Sequence, residues 1–429
     1  MKPLGLWGSD DTPRAHKIVR IMLFLTSFSW SLNPIQDYMG ESTPLEKIFT
    51  RMLPMMIIAF YCVRCPYREM LRRVFRPGLV PLLWYVGIGM VCGLSSVQPA
   101  LALWKGMEIL ITLMWVSVSC RDAESTKREF TAITGYIEVL LWFTLLLALV
   151  NPARGFRASP SFIPWIRGYF PLLNPNAIGF LSVMALTRLL FMPVRYRALR
   201  LMVVVFMFVC AQSRTSYTVS GLVLMISMYN SIRKRQYLQV FVALSFAVVA
   251  LVVSMGWIDT LVKIFMRGQT SESMGTLSGR TEYWNYTLSH VSWFGSGLAT
   301  GSRSLIFESD TAFGHGSVNT HNSFVEMLIG TGYIGAAPYI VMIAFNIVRQ
   351  CVRTAFRPSE ENLVFLACAV IFAARSMTSL VLALFSYDFV MMMLFWAWLY
   401  TSRQKPPRVY TRPKPVVYEK TLYEAEKAE

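Results

Sequence analysis

Long apolar runs recur along the whole chain and constrain its fold more than any other feature. A helix that crosses the bilayer core, about 30 Å thick, needs roughly 20 mostly apolar residues. The run at 198–231 is too long for one span, and the polar insert Gln212-Ser213-Arg214-Thr215 divides it in two. The sequence therefore predicts twelve transmembrane helices, near residues 17–35, 47–63, 79–97, 99–119, 130–150, 175–193, 198–211, 215–231, 237–256, 324–348, 361–384 and 386–402.

Composition and charge support an all-α integral membrane protein. The 429 residues are 55% hydrophobic and 15% charged, whereas a soluble domain carries about 25% charged residues. The net charge of +17 comes from short basic clusters between apolar runs, so it indicates cytoplasmic loops and not nucleic-acid binding. Their alternation predicts that both termini are cytoplasmic. The first run follows Lys17 and Arg20 without a small-residue cleavage site, so we expect it to remain as a span.

The predicted spans divide the chain into four parts. Residues 1–256 hold helices 1 to 9, residues 257–323 form a large outside loop, 324–402 hold helices 10 to 12, and 403–429 form a cytoplasmic tail that we expect to be disordered. Loops of such length are uncommon unless they are functional. From Arg280 to His290 the loop is predicted to be a helix lying on the membrane. Its rings could stack on sugars or form an interfacial belt; they are Tyr283, Trp284, Tyr286, Trp293 and Phe294.

Three ionisable residues are placed by this topology at the outer membrane surface: Arg214, Arg280 and His321. Two guanidiniums there could clamp a diphosphate, because their planar forks of donors match phosphate oxygens. An imidazole nearby could take a proton from an attacking hydroxyl. Each has an alternative explanation. Arg214 could reach lipid headgroups, Arg280 could pair with Glu282 or a lipid phosphate, and His321 could cap the next helix, although Asn322 or Thr320 suits that position better.

Cysteine does not point to a metal or redox site. Cys62 and Cys65 form a single CxxC at the end of an apolar run, and no second pair exists. A structural role is therefore favoured over half of a zinc site or a redox pair.

An ordered set of motifs resembles the bacterial O-antigen ligase and polymerase superfamily, with its Wzy-type polymerases and WaaL-type ligases. The set spans roughly residues 174–335, while the first five helices match only in hydropathy. The motifs are Asn174-Pro175-Asn176-Ala177-Ile178-Gly179, Gln212-Ser213-Arg214-Thr215, Ser278-Gly279-Arg280-Thr281-Glu282-Tyr283-Trp284, Phe294-Gly295-Ser296-Gly297, His321-Asn322-Ser323 and Gly332-Tyr333-Ile334-Gly335.

The resemblance implies a glycosyltransferase of the GT-C kind in the bacterial inner membrane, active at its periplasmic face without metal or cofactor. Its donor would be a glycan on undecaprenyl diphosphate, and its transfer would invert the anomeric configuration. Arg214 and Arg280 stand where the family's diphosphate-binding arginines lie, and His321 stands at the position of the proposed base. Asn176, Glu282, Trp284 and Asn322 are further expected substrate contacts, with Arg154, Arg157 and Arg167 along the path and Glu326 and Asp310 as spare carboxylates.

Two activities of this superfamily fit the motifs. We expect a polysaccharide polymerase that joins lipid-linked repeat units, and the alternative is an O-antigen ligase that transfers the glycan to lipid A–core. Expected partners are these lipid-linked glycans, membrane lipids and, for assembly, a chain-length regulator or flippase. A transporter or flippase is a third interpretation. It would use the intramembrane charges Glu108, Glu138, Arg375 and Asp388, but no internal repeat of the transporter kind is present.

Overall fold

The computed structural model describes residues 12–28, 30, 48–65, 67–157, 164–234, 280–302, 305 and 320–402. The predicted span 237–256, the tail 403–429 and most of the loop, with Asp310, lie outside the described residues. The helices are α1 (Thr12–Thr26), α2 (Leu53–Arg64), α3 (Tyr67–Val74), α4 (Val80–Gly93), α5 (Pro99–Ser119), α6 (Ala123–Val150), α7 (Pro152–Gly155), α8 (Pro175–Phe191), α9 (Arg197–Ala211), α10 (Arg214–Arg233), α11 (Arg280–Ser289), α12 (Ser323–Phe356), α13 (Glu360–Ser376) and α14 (Tyr387–Thr401).

Short elements connect these helices. A π-helical turn, Ile48–Met52, leads into α2, and a 3₁₀ turn, Pro77–Leu79, leads into α4. Between α7 and α8 lie two small antiparallel hairpins. They pair β1 (Phe156–Arg157) with β2 (Trp165–Ile166) and β3 (Gly168–Tyr169) with β4 (Leu172–Leu173).

Every predicted span within the described residues contains a helix, so the mostly helical character is confirmed. Within that part of the chain, α5, α6 and α12 are long and apolar enough to cross a membrane, and α4 and α8 are shorter apolar helices. Several bounds differ from the predictions; α1, for example, spans Thr12–Thr26 against a predicted 17–35, and α6 begins at Ala123, before the predicted start at 130. The last helices are separated by a non-helical stretch from residue 377 to 386, where the sequence predicts helix almost without a gap. Helix α12 runs on to Phe356, beyond the predicted end at 348.

Helices α8 and α14 occupy the centre of the bundle. Almost every residue of each is buried, and such all-round burial is expected of an apolar helix enclosed by other helices. Helix α8 packs against α6, α9, α10 and α13. It therefore links the helices that carry the candidate site.

Helix α12 is broken at Gly332, which has φ of 66° and ψ of −176°. Residues 292–297 dock against the break. The amides of Ser296 and Gly297 donate to the carbonyls of Ile329 and Gly330 at 3.0 and 2.8 Å, and Tyr333 N donates to Ser292 O at 3.2 Å. A Cβ on Gly295 would lie 2.2 Å from the Gly330 carbonyl carbon. This close backbone contact therefore requires glycine at positions 295 and 332, one in each of the two predicted motifs.

A proline inside α12 leaves one backbone carbonyl without its usual donor within the helix. Pro338 has no amide hydrogen to donate to the carbonyl of Ile334, four residues earlier. The indole nitrogen Nε1 of Trp84, on α4, donates to that carbonyl at 2.8 Å. A side chain from a neighbouring helix therefore replaces the missing backbone hydrogen bond.

Trp84→Phe is expected to destabilise the fold, because the Ile334 carbonyl loses this donor. A backbone carbonyl without a donor in an apolar lipid or detergent environment is costly, so thermal unfolding in detergent should begin several degrees lower. Trp142→Phe on the exposed face of α6 is the matched control and should unfold like wild type. Equal unfolding temperatures for both variants would contradict a structural role for the Trp84 indole.

Each intramembrane charge named by the transporter interpretation has an ion-pair partner. Glu108 accepts from Lys105 at 3.0 Å and also pairs with Arg51. Glu138 pairs with Arg188 at 2.6 Å and with Arg200. Arg375 and Asp388 pair at 2.9 Å. Partners of this kind offset the cost of burying a charge among apolar helices, so these charges have a structural explanation.

Candidate active site

Two helix N-termini meet at one end of the bundle: those of α8 and α10. The side chain of Asn174 caps α8 by accepting from Ala177 N at 2.7 Å. A Cβ on Gly179 would lie 2.7 Å from Ser216 Oγ and 2.9 Å from Ser213 Cβ. Gly179 therefore lets the first turns of α8 and α10 approach closely, which joins two of the sequence motifs in space. Helix N-termini carry partial positive charge that favours an anion.

The insert Gln212-Ser213-Arg214-Thr215 is a sharp turn between α9 and α10. Gln212 ends α9 in the left-handed conformation, with φ of 46°, and its buried side chain accepts from the indole nitrogen Nε1 of Trp165 at 2.5 Å. Arg214 is the first residue of α10 and is half-buried. The β1–β2 hairpin thus holds the turn that presents Arg214.

Arg280 begins α11, the helix that the sequence predicts between Arg280 and His290, and that helix is confirmed. Trp284, one turn later, donates from its indole Nε1 to the carbonyl of Thr320 at 2.8 Å. This bond ties α11 to the residue that precedes His321. The two predicted site residues Arg280 and His321 are therefore positioned by adjacent, connected segments.

His321 has φ of 49°, in the left-handed region that non-glycine residues seldom adopt and that often marks a functional constraint. The capping role that the sequence left open belongs to its neighbour. The side chain of Asn322 accepts from the backbone amides of Phe324 at 2.9 Å and Val325 at 3.3 Å at the start of α12. His321 is thus held at the entrance to α12 while another residue caps the helix.

Electrostatics place Arg214, Arg280 and His321 in one cluster. Burial, together with the charge of Arg214, lowers the pKa of Arg280. Burial, together with the charge of Arg280, lowers the pKa of His321 to about 4. Among the described residues, no carboxylate forms an ion pair with Arg280, so the pair with Glu282 offered by the sequence is absent. The cluster combines two positive charges, which can bind an anion, with a neutral imidazole, which can accept a proton from a hydroxyl.

A buried carboxylate supports the backbone beside His321. Glu326 is 3% exposed. Its Oε1 accepts from Ser302 Oγ at 2.8 Å, and its Oε2 accepts from Thr320 Oγ1 at 3.0 Å. Glu326 therefore joins α12 to the two chain segments around residues 302 and 320. The sequence named Glu326 only as a spare carboxylate and Gln212 only as part of a motif, and it gave no signal for Ser302.

Glu326→Leu is expected to reduce glycan transfer about ten-fold and to lower the unfolding temperature, because the buried Ser302 hydroxyl loses its acceptor at about 1–3 kcal/mol and the Thr320 hydroxyl keeps only the Asn322 carbonyl. Glu326→Gln keeps the shape and one acceptor oxygen and should retain most activity. A purely structural role would leave the acid limb of the pH–rate profile unchanged in Glu326→Leu, whereas positioning of His321 predicts that it moves. Full activity with an unchanged profile in the leucine variant would contradict both roles.

The remaining predicted residues lie at varying distances from this cluster. Asn176 is exposed and precedes Gly179 by three residues, so it lies on the helix face that meets α10. Glu282 is exposed in the first turn of α11. Trp293 and Phe294 are exposed rings beside the break in α12. No described contact joins Arg154, Arg157 or Arg167 to the three-residue cluster.

Metal-ligand geometry is absent from the described part of the chain, where no three His, Cys, Asp or Glu side chains converge. Cys62 and Cys65 are both free thiols.

A known family matches the part of the chain that contains the Arg214–Arg280–His321 cluster. Residues 198–340 match the family model Wzy_C, described as O-antigen ligase. The chain carries a Wzy_C domain. This domain covers about a third of the 429 residues and includes Arg214, Arg280 and His321. The match confirms the resemblance to the O-antigen ligase and polymerase superfamily over these residues. No curated protein and no solved structure matches the chain.

Proposed function

We propose that this Wzy_C protein transfers a glycan from undecaprenyl diphosphate to an acceptor hydroxyl at the periplasmic face of the inner membrane. The observation that carries the proposal is the cluster of Arg214, Arg280 and His321. Two arginines from distant parts of the sequence lie close enough for one charge to lower the pKa of the other. Bringing like charges together in a half-buried site is unfavourable without an anion, and a diphosphate supplies one with matching oxygens.

The proposed reaction is a direct displacement. The acceptor hydroxyl attacks the anomeric carbon, the bond from that carbon to the diphosphate oxygen breaks, and the configuration inverts. Arg214 and Arg280 stabilise the negative charge that develops on the leaving diphosphate. His321 takes the proton of the attacking hydroxyl, which its neutral form can do at neutral pH. No residue needs to form a covalent intermediate, and no metal or cofactor is required by this scheme.

The acceptor we propose is a second lipid-linked repeat unit, which makes the protein a polysaccharide polymerase. The Gly-Arg-Thr-Glu-Tyr-Trp and Asn-Pro-Asn-Ala-Ile-Gly forms of the motifs favour this choice. The second candidate is transfer to lipid A–core, which the description of the matching family, O-antigen ligase, favours. Asn176, Glu282, Trp284 and Asn322 are the further residues proposed to contact substrate.

We also propose the membrane arrangement of twelve spans with both termini cytoplasmic, the large loop 257–323 in the periplasm and a GT-C-like architecture. The clustered basic residues of the sequence support it. The ion pairs of Glu108, Glu138, Arg375 and Asp388 argue against the transporter alternative, because these charges already have partners within the fold.

An in vitro transfer assay tests the proposal. The purified protein, in detergent with EDTA, receives lipid-diphosphate-linked oligosaccharide alone or together with lipid A–core. A ladder of products from the repeat unit alone is the result expected of a polymerase. A single shifted product that requires lipid A–core would establish the ligase instead.

Absence of product under both conditions, from a protein that remains folded and monodisperse, would overturn the glycosyl-transfer proposal. Loss of transfer on adding EDTA would overturn its metal-independent form. Arg64→Ala removes an exposed basic residue at the end of α2 and serves as the charge-matched control for the site variants.

A further inference from the structure

A basic groove lies at the end of the bundle opposite the Arg214–Arg280–His321 cluster. It has a volume of about 600 Å³ and is formed by α1, α6, the last turn of α8 and the first turn of α9. Its lining residues are Arg20, Glu124, Lys127, Arg128, Thr131, Ala132, Gly135, Tyr136, Val139, Arg188 and Arg200. The groove is remote from the proposed transfer chemistry, so that chemistry does not explain it.

Two buried carboxylates fix the arginines of the groove. Glu129 forms an ion pair with Arg20, whose Nε lies 2.7 Å from Oε2, and Glu138 accepts from Arg188 Nη1 at 2.6 Å and from Arg200 Nε at 2.7 Å. A guanidinium carries more N–H donors than one carboxylate satisfies. The arginines are therefore held in place with donors to spare for another acceptor.

The charges of the groove leave a positive excess. Five basic side chains line it, and four carboxylates stand beside or behind them: Glu124, Glu129, Glu138 and Glu361. One positive charge thus lacks a counterpart among these groups. A single phosphodiester carries the one negative charge that would balance it.

Helix α6 gives the groove an apolar wall below the charged mouth. Arg128, Ala132, Gly135 and Val139 follow one another at helical spacing on a single face. Arg128 is exposed at the mouth, and Val139 is 66% exposed at the far end. At 1.5 Å per residue these two lie about 16 Å apart along the axis, close to half of a bilayer core about 30 Å thick.

Gly135 keeps the wall shallow at its middle. A Cβ there would already lie 3.3 Å from Arg188 Nη1, so a larger side chain would project into the space between α6 and the arginines. A charged mouth, a flat apolar wall and a length of one leaflet match the shape and polarity of a phospholipid.

We propose that this groove binds one anionic phospholipid, with its phosphodiester among Arg20, Arg128, Arg188 and Arg200 and an acyl chain along Gly135 and Val139. The proposed topology places this lipid in the cytoplasmic leaflet. Basic pockets between helices on that side of a membrane are suited to anionic headgroups. The proposal does not depend on the transfer reaction.

Native mass spectrometry of the detergent-purified full chain tests it, with phosphatidylglycerol and phosphatidylethanolamine as probes. Wild type should retain phosphatidylglycerol as a one-to-one adduct and retain phosphatidylethanolamine more weakly. Arg128→Gln should weaken phosphatidylglycerol binding about five-fold, as expected for loss of one basic residue near an anionic lipid. Gly135→Leu should weaken binding of both lipids, and Arg64→Gln, outside the groove, should leave both unchanged.

Addition of glycerol 3-phosphate separates a lipid site from a simple phosphate site, because it offers the same phosphate chemistry without acyl chains. Failure of millimolar glycerol 3-phosphate to displace the lipid is the expected result, and full displacement would overturn the proposal. Equal binding of the two lipids to wild type, or identical binding by Arg128→Gln, Gly135→Leu and Arg64→Gln, would also overturn it.

Discussion

Arg280→Ala is expected to lower kcat/KM for glycan transfer at least about a hundred-fold, because one of two groups that stabilise the leaving diphosphate is lost. Removal of one preorganised donor to developing negative charge costs about 10²–10³ in rate. Arg280→Lys keeps the charge but loses the planar fork, so it should recover only part of the activity. Steady-state kinetics on a lipid-diphosphate-linked donor measure both effects.

A double-substitution cycle shows whether Arg214 acts on the same group. Residues that act together on one ligand are strongly non-additive. Arg214→Ala combined with Arg280→Ala should therefore cost much less than the sum of the single effects in free energy. Additive losses would contradict a shared diphosphate, and wild-type rates in a folded Arg280→Ala protein would remove Arg280 from the mechanism. Arg64→Ala should match wild type throughout.

His321→Ala is expected to reduce kcat by about 10²–10⁴, the usual contribution of a general base. His290→Ala is the matched control, because His290 is an exposed histidine just beyond the end of α11 and should leave kcat unchanged. Equal effects of the two substitutions would contradict a specific role for His321.

The pH dependence gives an independent test of His321. Its pKa is lowered to about 4, so in the free protein the imidazole is neutral and able to accept a proton well above that pH. The acid limb of kcat/KM, which reports the free enzyme, should accordingly lie near pH 4. A bound diphosphate offsets the charge of Arg280 and raises the pKa of His321. The acid limb of kcat should therefore lie at higher pH than that of kcat/KM.

Arg280→Gln provides the reciprocal check on the same titration. It removes the second cause of the low pKa and leaves burial, the larger cause, in place. The acid limb of kcat/KM should move upward from pH 4 but remain below the ordinary histidine value of about 6.5. A limb that stays at the wild-type position would contradict the electrostatic link between the two residues.

The positions of the helices could be predicted from the sequence, because an apolar run of about 20 residues leaves the backbone few alternatives in a membrane. The proximity of Arg214, Arg280 and His321 was also expected, since the predicted topology places all three at the outer membrane surface and each belongs to one of the ordered motifs. Their roles in catalysis remain proposals.

Tertiary contacts determined what the sequence could not reveal. The break at Gly332 is stabilised by residues 292–297, about forty residues earlier, which form hydrogen bonds with the backbone groups around it. Trp84 is one apolar residue among many until the carbonyl opposite Pro338 gives its indole a partner. The indole N–H of Trp284, a predicted substrate contact, donates to the Thr320 carbonyl, a partner that the sequence did not indicate. In each case the partner is distant in sequence, and no local pattern identifies it.

The carboxylate of Glu326 has a consequence for how this protein can diverge. It receives hydrogen bonds from Ser302 and Thr320 alike, so the stretch of chain between those residues starts and finishes at one point. Lengthening a segment whose ends are already held together costs little. Insertions between residues 302 and 320 can therefore accumulate, or be engineered, without moving His321.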